Sequence, residues 1–95
     1  MFDKAKTLYE LKKIQSALAK ETIEIETGDG AVKVAINGEQ KIKSISINPE
    51  MIDKDEIHKL EKWLESAVTQ AITRSQQLAA EKMKSVAGGL GIPGL

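Results

Sequence analysis

The sequence predicts an α+β fold: an α-β-β-β-α protomer with a three-stranded antiparallel sheet and a long C-terminal helix, assembled as a homodimer. Three patterns predict it. Residues 3–21 and 57–79 carry apolar side chains at helical spacing. Residues 22–27, 32–36 and 45–47 alternate apolar and polar side chains, the period of a half-buried strand. Between the last two of these lies Asn37-Gly38, a strong hairpin signal because both residues tolerate positive φ.

In the first helix, Leu8, Leu11, Ile14 and Leu18 form one apolar stripe. Lys6, Lys13 and Lys20 recur every seven residues on roughly the opposite face, with Tyr9 close by. Such a row is either a solvated face or a phosphate-binding one. In Thr22 to Thr27, Ile23 and Ile25 alternate with Glu24 and Glu26, and the β-branched content favours a strand. Gly28-Asp29-Gly30 is a turn. It lacks the Lys-Ser/Thr pair and following helix of a phosphate-binding loop. Val32, Val34 and Ile36 then alternate with Lys33 and Ala35. Ile45 and Ile47 can share their face, but Ile42 is out of step. Either a bulge realigns Ile42, or it points to the other face beside Ala31 and Ala35, leaving that face partly apolar. Pro49 cannot extend the ladder.

Asp53 is the expected N-cap of the last helix, and Glu56 completes a capping-box pattern with Ile52 and Ile57 at the staple positions. The apolar stripe runs through Ile57, Leu60, Leu64, Ala67, Val68, Ala71, Ile72, Leu78 and Ala79. Gly88-Gly89 is the expected stop. One domain over residues 1–87 and a flexible Gly/Pro-rich tail over 88–95 are therefore expected. Some 30 helical residues span roughly 45–50 Å. A compact domain of this length has a radius of gyration of about 12–13 Å. The helix must overhang its own sheet, and its apolar stripe calls for a partner. A second copy is the economical answer, C2 dimers being the commonest oligomer. Leu64, Ala67, Val68, Ala71 and Ile72 are the candidate dimer interface.

Composition removes several function classes. The 95 residues include no Cys, which excludes disulfides, zinc-thiolate sites and thiol catalysis. Phe2, Tyr9 and Trp63 are the full aromatic set, so the core is aliphatic. No apolar run approaches the roughly 20 residues of a membrane span. Asp3, Lys4 and Lys6 interrupt any signal-peptide core, and a cytoplasmic location is expected. His58, the one histidine, lies off the apolar stripe, and no nucleophile–base arrangement forms around it. Capping and the helix dipole account for Asp53, Asp55 and Glu56. Trp63, at the edge of the stripe, reads as a packing residue. No enzyme class, metal site or cofactor is expected.

Net charge is zero, which does not point to nucleic acid. The distribution is uneven. Residues 1–20 carry five Lys against two acids, and residues 21–40 five acids against Lys33. Residues 66–95 carry Arg74, Lys82 and Lys84 against Glu81. The ends are basic and the middle acidic.

G-x-G-x-V-K-V-x-I-N-G (Gly28 to Gly38), I-x-I-x-P-E (Ile45 to Glu50), A-V-x-x-A (Ala67 to Ala71) and E-K-M-x-S-V (Glu81 to Val86) together resemble the YbaB/EbfC family of bacterial nucleoid-associated proteins. The resemblance covers nearly the whole chain. It implies a homodimer with protruding helical arms, duplex DNA as partner and a place in the nucleoid, with no membrane or small-molecule substrate. If the arms are the first helix and the end of the last, their surfaces carry Lys6, Lys12, Lys13, Lys20, Arg74, Lys82 and Lys84. These side chains neutralise phosphates without reading bases. Only Arg74 can make an Arg-type bidentate contact to guanine, so low sequence specificity is expected. The alternative is a dimeric protein-interaction module without direct DNA binding, docking through an apolar outer sheet face or the arms. Net neutrality and the acidic strands favour it. The lysine row and the resemblance favour DNA.

Overall fold

The computed structural model describes residues 4–89, with side chains over residues 4–85. Helix α1 spans Lys4–Lys20, strands β1, β2 and β3 span Thr22–Thr27, Val32–Asn37 and Ile42–Ile47, and helix α2 spans Ile57–Gly89. Short 3-10 turns at Pro49–Met51 and Lys54–Glu56 precede α2. The order is the α-β-β-β-α predicted from the sequence. The sheet is antiparallel in the order β1-β2-β3.

Gly28, Asp29 and Gly30 all take positive φ in the β1–β2 turn. Gly28 has a second reason to be glycine: a Cβ there would lie 2.5 Å from the Trp63 ring. Trp63 thus presses its indole on the turn, and Thr27 Oγ1 donates to its carbonyl at 2.8 Å.

The β2–β3 hairpin forms where Asn37-Gly38 predicts it, but by a different turn. Asn37 N–H donates to the Lys41 carbonyl at 2.9 Å, leaving a three-residue loop, Gly38 to Gln40. The positive φ falls on Gln40, at 61°, and not on Asn37 or Gly38. Gly38 is small for another reason. A Cβ there would meet the Leu18 carbonyl oxygen at 2.9 Å and its Cδ2 at 2.7 Å. The phase problem of β3 is solved by a bulge. Ala35 pairs with Ser44 and Ile36 with Ile42, so Lys43 is the extra residue. Ile42 rejoins the face of Ile45 and Ile47. The outer sheet face is consequently polar, with Glu24, Glu26, Lys33, Ser44 and Ser46 exposed; of the two alternatives for Ile42 the bulge is the one present, and Ile42 does not make that face apolar.

The core joins Ile25, Val32, Val34 and Ile36 to Ala67 and Ala71 of α2. The two alanines let the helix lie close over β1 and β2, and it does not reach β3. Each buried Val or Ile contributes about 1.5–3 kcal/mol.

Asp53 Oδ1 accepts from Asp55 N–H at 2.9 Å, capping a 3-10 turn, and α2 begins only at Ile57. The reciprocal half of the capping box is not made. The Glu56 carboxylate pairs instead with Lys59 Nζ at 3.0 Å. Gly88 and Gly89 are the last described residues of α2. The rest of the expected tail, residues 90–95, lies outside the described residues. The radius of gyration is 17.9 Å and the longest dimension 65 Å, against about 12–13 Å for a compact domain of this length. The overhang predicted from the length of α2 is therefore present.

Candidate nucleic-acid interface

The overhanging part consists of α1 and the end of α2, which start from one point. Ser75 of α2 sits level with the β2–β3 hairpin, its Oγ donating to the Asn37 carbonyl at 2.7 Å. The last turn of α1 docks at the same hairpin through Leu18, which is buried. Beyond Ser75, α2 runs a further 14 residues, about 21 Å, past the sheet.

On α1, Lys6, Lys13 and Lys20 are exposed. At 100° per residue, a seven-residue repeat drifts only about 20°, so the three form one row about 21 Å long. Lys12 is exposed on the flank of that row. On α2, Arg74 and Lys84 are exposed and Lys82 is half-buried. Lys82 and Lys84, two positions apart, point about 200° apart round the helix and cannot serve one surface. Arg74 lines a shallow cleft with Glu21, Gln77 and Glu81, two of them acidic. The seven predicted cations are thus not one patch. The α1 row is continuous, and the α2 cations are scattered. None of the seven forms an ion pair among the described residues, whose Lys–carboxylate pairs are Lys33–Glu26 and Lys59–Glu56. Cations without an internal carboxylate are available to an external anion.

Glu26 and Lys33 face each other across β1 and β2 and pair at 3.3 Å on the outer sheet face. The acidic strands accordingly sit on the body of the molecule, apart from the projecting helices. His58 is exposed and pairs with Glu61 at 3.5 Å. Among the described residues, no group of three or more His, Asp or Glu side chains is placed to hold a metal ion, and no helix is long and apolar enough to cross a membrane.

The residues predicted for the dimer interface separate into two sets. Ala67 and Ala71 are fully buried in the protomer's own core and present no surface to another chain. Leu64 and Val68 are half-buried, and Ile72 is 37% exposed. These three recur every four residues along one flank. Arg74 and Gln77, on the opposite flank, border Glu21 and Ile23 at the start of β1, so the Leu64–Val68–Ile72 flank lies on the β3 side. Beside it, Ile42, Ile45 and Ile47 stand 42%, 48% and 40% exposed on the face that α2 leaves uncovered. The result is an apolar groove walled by one helix flank and floored by one strand. Sequence reasoning placed the β3 isoleucines on the sheet but not at an interface, because alternation reveals a face but not what covers it. Ser75 was also missed, although Ala67, Ala71 and Ser75 continue a single i, i+4, i+8 row.

The sequence matches the YbaB/EbfC DNA-binding family over residues 1–90. The chain belongs to that family. Its membership is reinforced by a nucleoid-associated protein of Thermoanaerobacter pseudethanolicus, 42% identical over 90% of this chain and 78% of that one. A nucleoid-associated protein of Desulforamulus reducens is 44% identical over 82% of this chain and 74% of its own. An uncharacterized protein of Helicobacter pylori has a crystal structure that superposes with a TM-score of 0.70 over 90% of this chain and 86% of that one, at 16% identity. That likeness shows a fold shared between this YbaB/EbfC chain and a solved structure at low sequence identity.

Proposed function

We propose that this protein binds duplex DNA as a homodimer, with low sequence specificity, as a nucleoid-associated protein of the bacterial cytoplasm. The observation that carries the reading is the α1 row: exposed lysines that form no ion pair among the described residues, on an element that projects from the body. Family membership and the names of the relatives support DNA as the ligand. The apolar groove supports the second copy, which would cover Ile42, Ile45 and Ile47 with its own Leu64–Val68–Ile72 flank by C2 symmetry. The dimer doubles the lysine rows. The activity is binding without turnover.

Duplex binding measured across salt concentrations tests this. If each protomer neutralises about two to four phosphates, log K falls with log salt at a slope of about −4 to −7. Lys6→Glu with Lys13→Glu weakens binding to all sequences alike, because phosphate contacts carry little base information. Absence of duplex binding at about 50 mM salt and tens of micromolar protein removes the DNA reading.

A further inference from the structure

One buried polar cluster is not explained by the core or by the lysine row. Ser75 is fully buried in the middle of α2, on the row that begins with Ala67 and Ala71. A hydroxyl there is costly unless bonded, and a mid-helix serine ordinarily turns back to its own helix. This one bonds to the hairpin. Its Oγ donates to the Asn37 carbonyl at 2.7 Å and accepts from Gln40 N–H at 3.0 Å and Gln40 Nε2 at 3.3 Å. Asn37, also buried, extends the cluster to the other helix. Its Oδ1 accepts from Lys41 N–H at 3.0 Å, and its Nδ2 donates to the Ala19 carbonyl at 3.4 Å. Gly38 N–H donates to the Leu18 carbonyl at 2.8 Å. Those two carbonyls belong to the last turn of α1, where intrahelical donors run out; the Leu18 carbonyl also accepts from Glu21 N–H at 3.2 Å. The hairpin therefore caps α1 and holds α2 with the same few residues, at the point where both leave the sheet.

We infer that Ser75 and Asn37-Gly38 form a clamp that sets the orientation of the two projecting helices, making Ser75 a positioning residue for DNA binding that touches no DNA. The inference rests on the DNA reading above. Opening the clamp lets α1 sample several orientations relative to α2. Only a fraction of molecules then presents the lysine rows correctly, and apparent affinity falls by that fraction. The bound complex neutralises the same phosphates, so the salt slope does not change. Removing a lysine does the reverse: it lowers the slope by about one for each phosphate no longer neutralised.

The test uses Ser75→Ala and Gly38→Ala in the full chain. Ser75→Ala removes the hydroxyl. Gly38→Ala pushes a methyl against the Leu18 side chain and carbonyl, forcing the end of α1 and the hairpin apart while leaving the Ser75 hydroxyl in the chain. Circular dichroism establishes that each variant is folded, and amide hydrogen exchange reports on the clamp. Faster exchange at Gly38 and Gln40, unaltered exchange over β2, duplex affinity about five- to twenty-fold lower and an unchanged salt slope would support the inference. Folded variants that bind duplex as tightly as the wild type would overturn it while leaving the DNA reading intact. Weaker affinity with a reduced slope would also overturn it, since fewer phosphates would then be neutralised in the bound complex. Should Ser75→Ala fail to fold, Gly38→Ala decides alone. Should both fail, duplex added to the wild type must slow exchange at Gly38 and Gln40, and unchanged rates there overturn the clamp. A wild type that binds no duplex removes the DNA reading and the inference with it.

Discussion

Val34 and Ile45 are register partners on adjacent strands and face the same side of the sheet, yet Val34 is fully buried and Ile45 is 48% exposed. The same contrast holds along both strands: Val32 and Ile36 are fully buried, while their partners Ile47 and Ile42 stand open. Composition does not separate them, since both strands offer β-branched apolar residues at alternate positions. Position under α2 does. The helix covers β1 and β2 and stops short of β3. The part of one apolar face on β1 and β2 therefore serves as the monomer core, and the part on β3 is left for something else to cover. Exposed aliphatic groups in a row beside a half-exposed helix flank mark an interaction surface.

The largest way to sharpen that contrast is to truncate the buried side. Ile36→Ala removes a side chain held between β1, β2 and α2 and is expected to cost about 2–5 kcal/mol in urea denaturation. A cost under about 1 kcal/mol would mean that the core is looser than its burial states. The next effect breaks the contrast from the exposed side. Ile45→Asp leaves the protomer core in place and puts a carboxylate into the groove. Sedimentation equilibrium is expected to show at least a tenfold weaker self-association, about 1.4 kcal/mol, with the helical circular dichroism signal of the wild type. A wild type that is a well-folded monomer at micromolar concentration would sink the dimer, and the β3 groove would need another occupant. The smallest effect lies on the outer face. Glu26→Gln breaks an exposed ion pair with Lys33 and should change stability by under about 1 kcal/mol, and duplex affinity by less than about twofold, because the strand faces away from the lysine rows. A large affinity gain would place the duplex against the sheet.

Much of the fold was legible in the residues. The helical stripes, the alternation of Ile23 and Ile25 or Val32, Val34 and Ile36, and the Asp53 cap all depend on neighbours a few positions apart, and local spacing records them directly. The hairpin was legible in place but not in kind. Asn37-Gly38 marked the hairpin because both residues tolerate positive φ, whereas Gly38 is small because the end of α1 lies against it, an approach made across 20 residues of chain. The candidate site was legible as a row of lysines on α1. It was not legible on α2, where the charges of Arg74, Lys82 and Lys84 add up in composition but diverge in direction.

The sequence by itself determined the element order, the aliphatic core and the length of α2, because periodicity and helix rise are properties of the chain alone. It determined that α2 outruns its sheet, and hence that some apolar surface would be left over. Only the tertiary structure decided where that surface lies. Ala67 and Ala71 went to the protomer core, and Ile42, Ile45 and Ile47 were left open. A strand's burial depends on what packs over it, and that is set by the placement of a helix distant in sequence. The same holds for Ser75. As a residue in a helical sequence it is one polar position among many. It becomes the joint of two helices only because Asn37, 38 residues away, arrives with a carbonyl 2.7 Å from its hydroxyl.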